Sequence, residues 1–209
     1  MRALATAVGI LLLAGCSQTV TGEAHRTVPG LDDGSRSPVD VEAVILDQSR
    51  MRALTGAGED LTIVPTMDGK LPVDIDALAA TVPDVCAWLF AETQTFGTEV
   101  EEFHKTTFQN PPAGGLISEA VAAYRDEPTA RRAFADLVGR IDGCAETRAG
   151  PRLVGDTDIT AETARTRTPG GCGRDYRVKS VVLAEVTACR FSPAIPELVL
   201  TNLLDNVPG

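Results

Sequence analysis

Aromatic residues make up only 4% of this 209-residue chain, with six Phe, two Tyr and one Trp. The core must therefore be built mainly from aliphatic side chains, and most of the few rings are needed inside it. Histidine is scarcer still: His25 and His104 are the only two. No two cysteines stand at CxxC spacing, and so few imidazoles leave no material for a zinc site, so no metal ligand set is assigned. Ser118, Ser180 and Ser192 lack a GxSxG elbow or any comparable nucleophile setting, so no catalytic residue is assigned either. No cofactor-binding motif is read. Positive charge is also short, with 19 Lys and Arg against 29 Asp and Glu and a formal net charge of −10. That balance excludes nucleic acid and anionic headgroups as electrostatic partners. The apolar run Leu4 to Leu13 is too short for a membrane span of about 20 residues.

That run instead reads as a secretory signal. Arg2 precedes it, and Leu13-Ala14-Gly15-Cys16 follows as a lipobox. Small residues at 14 and 15 admit a signal peptidase, and the Cys16 thiol then carries a diacylglyceryl group as the new N-terminus. Residues 1–15 are read as the signal peptide and 16–38 as lipidated Cys16 plus a tether, polar and rich in Gly, Ser, Thr and Pro. Residues 39–209 form the folded domain. The expected location is the outer face of the cytoplasmic membrane, held there by the lipid.

Setting Cys16 aside leaves Cys86, Cys144, Cys172 and Cys189. An even number of cysteines in an exported chain argues for two disulfides, with three connectivities open. Gly170 to Pro193 reads as a β-hairpin with Cys172 and Cys189 at its ends, which selects that pair and leaves Cys86 with Cys144 by exclusion.

Along the domain, Val39 to Leu46 reads as an extended apolar lead-in, and Asp47 caps a short helix ending at Gly56. Leu61 to Thr66 is a strand broken by Pro65, with a turn at Asp68-Gly69. Residues 74–92 carry two short helical patterns divided by Pro83, the second capped by Asp84, with Cys86 in its first turn, and burying Trp88 or Leu89 and Phe90. Two strands flank the breaker Pro111 to Gly115, the first carrying Phe103 and Phe108. Asp126 caps an amphipathic helix over 127–142, which Gly143 is expected to end. Gly150-Pro151 marks a turn, and Thr157 to Pro169 alternates as one solvent-facing strand. After the hairpin comes a final helix whose Leu198, Val199, Leu203 and Val207 are expected to face the sheet.

The helix DQSRMRALTG, the strands FHKTTFQNP and LISEAVAAYRD, the helix end GRIDGCAE and CGRDYRVKSVVLAEVTACRFSP carry a family likeness. Together they resemble the extracellular sensor domain of the mycobacterial receptor serine/threonine kinase H, over about Val39 to Gly209. The resemblance implies an α+β fold: a twisted antiparallel β-sheet with helices packed on it, disulfides joining first to second and third to fourth cysteine, and a ligand-type cleft. It carries neither a kinase catalytic domain nor a transmembrane helix, so any signal would pass through a partner.

Arg165, Arg167, Arg174 and Arg177, with Tyr176, are the ligand-binding candidates, since guanidinium forks suit carboxylate or phosphate; a solvated strand face is the plainer reading of the arginines. The leading function is a non-catalytic sensor that binds a small molecule or envelope ligand. The alternative is a structural lipoprotein that docks an envelope protein. A hydrolase, ranked third, requires His104 within reach of a serine and an acid.

Overall fold

The computed structural model describes residues 37–208. The expected signal peptide, Cys16 and nearly all of the tether lie outside the described residues. Seven strands form one fully antiparallel sheet in the order β1-β2-β3-β7-β6-β5-β4. They are β1 (Thr62–Ile63), β2 (Glu102–Asn110), β3 (Gly115–Ala123), β4 (Asp156–Ile159), β5 (Thr163–Arg167), β6 (Cys172–Lys179) and β7 (Val182–Cys189).

The central strands explain the layers. β3 and β7 bury apolar side chains on both faces, so each face needs a cover. On one face lie α1 (Val41–Val44), α2 (Gln48–Thr55) and α7 (Ile195–Asp205), and Val44, Met51, Leu200 and Leu203 meet Phe108, Ile117, Val121 and Val186 there. On the other lie α5 (Glu127–Ala145), α4 (Glu92–Phe96) and a 3-10 segment, Asp84–Phe90; Trp88, Phe96, Phe134, Leu137 and Ile141 meet Phe103, Ala122, Tyr176 and Leu183. Two four-residue helices, α3 (Asp76–Ala79) and α6 (Gly150–Leu153), complete the set among the described residues.

Local chemistry sets the ends. Asp47 accepts from the Arg50 N–H at 2.8 Å, and Gly56 closes α2 at φ 66°. Asp126 accepts from the Thr129 N–H at 2.9 Å, with Pro128 in the first turn of α5. Pro196 likewise falls in the first turn of α7, so its missing N–H costs no helical bond.

Both disulfides form as the hairpin reading required. Cys172 and Cys189 face each other directly in the β6–β7 register, 17 residues apart in sequence. Cys86 joins Cys144 over a separation of 58 and ties the 3-10 segment to α5. Chain entropy assigns these loops roughly 3 and roughly 4 kcal/mol.

Six expectations change. Val41–Val44 is a helical turn rather than extended, because Asp40 caps it through the Glu42 N–H at 2.9 Å. The pattern after Pro83 is 3-10 rather than α, and Pro83 rather than Asp84 stands at its N-cap. Gly143 does not end α5; the helix runs on to Ala145, and a Cβ on Gly143 would lie 3.0 Å from the Val85 side chain, so the glycine admits the neighbouring segment. Gly150-Pro151 opens α6 instead of a plain turn, and the single strand expected over 157–169 is two, β4 and β5. Thr160 makes their turn, with its N–H donating to the Thr163 carbonyl at 2.8 Å and its hydroxyl meeting that of Thr163 at 2.8 Å. Finally, Leu198 is exposed while Leu200 packs inward.

One buried carboxyl stands out. Glu119 on β3 is fully buried between Ile117 and Val121, and neither oxygen has a hydrogen-bond partner. Burial pushes its pKa well up; the nearby Leu46 backbone N–H draws it partly back, and the charge of Asp47 adds to the rise. The folded protein thus holds this proton to higher pH than the unfolded chain does, so the stabilisation present below the ordinary value of 4.5 is lost as pH rises. Glu119→Gln, a neutral isostere, is expected to raise the Tm at about pH 8 and to lose that advantage toward about pH 4. Thermal melts across that range check this; an equal offset at every pH would show that Glu119 titrates normally.

Candidate functional site

The face of the sheet that carries α5 is not fully covered. Toward β2 and the disulfide end of the β6–β7 hairpin its cover is the 3-10 segment together with the chain from Thr66 to Ile75, and two connected hollows remain. The outer, about 260 Å³, is lined mainly by Met67, Leu71, Val73 and Ile75. The inner, about 210 Å³, lies over the sheet, and Trp88, Lys105, Ser118, Arg174, Glu185 and Thr187 are among its walls. Met67, Val73, Ile75, Glu92 and Lys105 border both, so the two form one trough. Its combined size falls at the lower end of the range of about 300–1,000 Å³ for small-molecule sites.

The strand alternation selects the floor. Ser118 on β3, Thr187 on β7 and Arg174 on β6 sit opposite one another in register, and Lys105 on β2 and Glu185 on β7 both pair with Ala120, two residues from Ser118, so all five project to the α5 face. Their charges are matched. Lys105 Nζ meets Glu92 Oε1 in a short ion pair. Arg174 Nη1 donates to the Leu89 carbonyl at 3.2 Å. Burial draws the Arg174 pKa down, but Tyr176 and Glu185 beside it hold it above its ordinary value. Thr187 Oγ1 donates to Glu185 Oε1 at 2.6 Å.

The outer wall is a lip of exposed apolar residues: Leu71 is 76% exposed and Val73 57%, with Met67, Ile75 and Leu78 also exposed. It is pinned at two places. At its start Gly69 and Lys105 exchange backbone bonds at 2.9 Å, and His104 Nε2 lies 2.8 Å from Asp68 Oδ1. At its end Glu92 Oε2 accepts from the Val73 N–H at 2.8 Å, and Asp74 Oδ1 accepts from the Thr93 N–H at 3.0 Å.

The five candidate residues do not converge. Arg165, Arg167 and Arg177 lie on the α7 face, where Arg165 Nη2 reaches Glu197 at 2.6 Å, Arg177 Nη2 reaches it at 3.7 Å and Arg167 Nη1 reaches the buried Asp175 at 2.5 Å. Arg174 and Tyr176 lie on the α5 face. Tyr176 is fully buried, edge-on to Trp88 at 6.4 Å, and burial followed by the charge of Glu185 raises its pKa. Of the five, only Arg174 lines the trough. His104 sits on the other face between Asp68 and Glu42, with Nδ1 3.1 Å from Glu42 Oε1; Thr106 Oγ1, not a serine, is its hydroxyl neighbour at 3.4 Å. Sequence reading missed Lys105, Glu92 and the lip. Four apolar residues at 67, 71, 73 and 75 in a polar stretch were the available signal.

A disulfide-linked sheet with helices on both faces and a half-covered trough is the build of an extracytoplasmic α+β domain. Residues 37–205 match the family described as PknH-like extracellular domain, and the chain belongs to that family. Among solved structures, the extracellular domain of PknH from Mycobacterium tuberculosis aligns with a TM-score of 0.59 at 17% identity, covering 82% of this chain and 98% of that one. That likeness establishes a shared fold. No curated protein matches this chain.

Because Glu92 holds Lys105 and the Val73 amide at once, Glu92→Ala should free the end of the lip without unfolding the sheet. The Val73 amide is expected to exchange its hydrogen at least about tenfold faster while α5 amides keep their protection. Residue-resolved hydrogen exchange measures both, and an unchanged Val73 would mean that the lip is held by other bonds.

Proposed function

We propose that this protein is a lipid-anchored lipoprotein of the cell envelope, displayed on the outer face of the cytoplasmic membrane, whose domain is a non-catalytic sensor that binds a ligand in the trough. The observation that carries the reading is the trough itself: an apolar outer wall opening onto a floor of convergent polar groups at Lys105, Ser118, Arg174 and Thr187. Arg174 is the arginine that would contact the ligand. Membership of an extracellular-domain family and the two disulfides support the location. The Leu13-Ala14-Gly15-Cys16 lipobox supports the anchor.

Docking of an envelope protein is the second reading, favoured by one observation: Leu71, Val73, Ile75 and Leu78 are exposed within a single short stretch. Hydrolysis is not supported by the surroundings of His104, whose ring nitrogens face Asp68 and Glu42.

Two measurements test this. Cys16→Ser is expected to abolish incorporation of a labelled fatty acid and to leave the signal uncleaved; acylation of that variant would place the anchor elsewhere. Native mass spectrometry of the domain released from its own envelope should show a bound small molecule that leaves on collisional activation. A clean apo mass together with a retained protein would favour docking instead.

A further inference from the structure

The two parts of the trough differ in chemistry, and the difference specifies a ligand class. This step rests on the reading of the trough as the binding site. The outer part is walled by Met67, Leu71, Val73 and Ile75, and no charged side chain other than those of Asp68, Glu92 and Lys105 borders it. Water held against Leu71 and Val73 gains from being displaced, so this part favours an aliphatic chain.

The inner part adds polar and charged side chains to its apolar walls, and its lysine is paired. Lys105 is neutralised by Glu92, and Arg174 lies beside Glu185 while donating to the Leu89 carbonyl. An anionic head entering here would meet two carboxylates for its two cations, and a cationic head would meet the reverse. An anionic head at Lys105, or a cationic head at Glu92, would have to break that partly buried pair and leave one charge alone, which is costly. Hydrogen-bonding capacity, in contrast, is left over. The Trp88 indole N–H is buried with no acceptor, and Ser118 adds a hydroxyl to the same walls. A buried donor without a partner is the group that gains most from a neutral oxygen.

We propose that the trough binds an uncharged amphiphile: a hydroxyl-bearing head, of the glycosyl or polyol kind, over Ser118, Trp88 and Thr187, with a single aliphatic chain running outward past Val73 and Ile75 to Leu71. The Lys105–Glu92 pair lies where head meets chain. It borders both parts and can give hydrogen bonds to the head without offering it net charge.

The chain's single tryptophan reports on the inner part directly, since Trp88 is 1% exposed and lines it. Four probes are titrated into the folded domain below micelle formation, with Trp88 fluorescence read: octyl β-glucoside, octanoate, octyltrimethylammonium and methyl β-glucoside. Octyl glucoside is expected to give a saturable change, with each charged octyl compound at least about tenfold weaker and methyl glucoside inactive. Leu71→Glu and Val73→Glu alter exposed side chains that the fold does not need, and each should weaken octyl glucoside about tenfold or more. Equal or tighter binding of either charged compound overturns the uncharged head while leaving a ligand-binding trough in place. Binding that ignores both lip substitutions overturns the path of the chain. No response to any probe, from a domain whose native mass carries a bound molecule, overturns this inference alone. No response together with a clean apo mass overturns the trough as a binding site as well.

Discussion

The constraint on which the rest depends is that β3 and β7, paired near the centre of the sheet, bury apolar side chains on both faces. A strand pair of that kind cannot face water on either side, so the chain must supply two covers. The N-terminal helices α1 and α2 and the C-terminal α7 make one, and the middle of the chain makes the other. The first is continuous, with aliphatic side chains from three helices. The second is not. α5 covers the half nearer Tyr124, Val178 and Leu183, while the half nearer Ser118 and Thr187 is left to a 3-10 segment and a stretch with little regular structure. The trough exists because that second cover is assembled from short pieces.

The Cys86–Cys144 bridge makes such a cover tenable. A 3-10 segment of seven residues has poor hydrogen-bond geometry and would not hold Trp88 and Leu89 against the sheet unaided. The bridge fixes it to the last turns of α5, Gly143 lets it approach there, and the Thr95 hydroxyl donates to the Trp88 carbonyl at 2.9 Å from the far side. The wall of the trough is thus cross-linked to the longest helix, while the lip opposite has only hydrogen bonds and ion pairs.

Where periodicity and capping chemistry were strong, the sequence was legible. α5 with its Asp126 cap, α2 between Asp47 and Gly56, and the β6–β7 hairpin with opposed cysteines all stand as their patterns imply. Legibility failed where the deciding contact was distant or the turn was unmarked. Thr160 and Thr163 turn the chain by hydroxyl and backbone bonds with no Gly, Pro or Asn to announce it, which hid the break between β4 and β5. Gly143 looked like a stop because its reason, the Val85 side chain, comes from another part of the chain. The five site candidates were chosen by proximity in sequence, but residues one apart on a strand point to opposite faces, so Arg177 and Tyr176 were separated by the pleat itself. Lys105 and Glu92 could not be seen as a pair, since they stand 13 residues apart and only the fold brings them together.

The lip's anchors decide how the trough can open. Its start is held twice, by the Gly69–Lys105 backbone exchange and by Asp68 on His104; its end is held by Glu92 and Asp74 together with the Ile75 N–H on the Phe90 carbonyl at 2.8 Å. Between them Lys70, Leu71 and Pro72 span an arc whose one ion pair, Lys70 with Glu42 at 3.0 Å, is exposed on both sides. Exposed pairs of that kind contribute about 0–1 kcal/mol, so the arc can move while both anchors stay in place. Leu71 sits at its middle, the most exposed large apolar side chain among the described residues. Opening therefore needs only a local shift of the arc, with the disulfide-bonded wall, the sheet floor and the two anchors unchanged. Under the proposed binding, a ligand would pass Leu71, and its apolar end would be the part that lies against the lip.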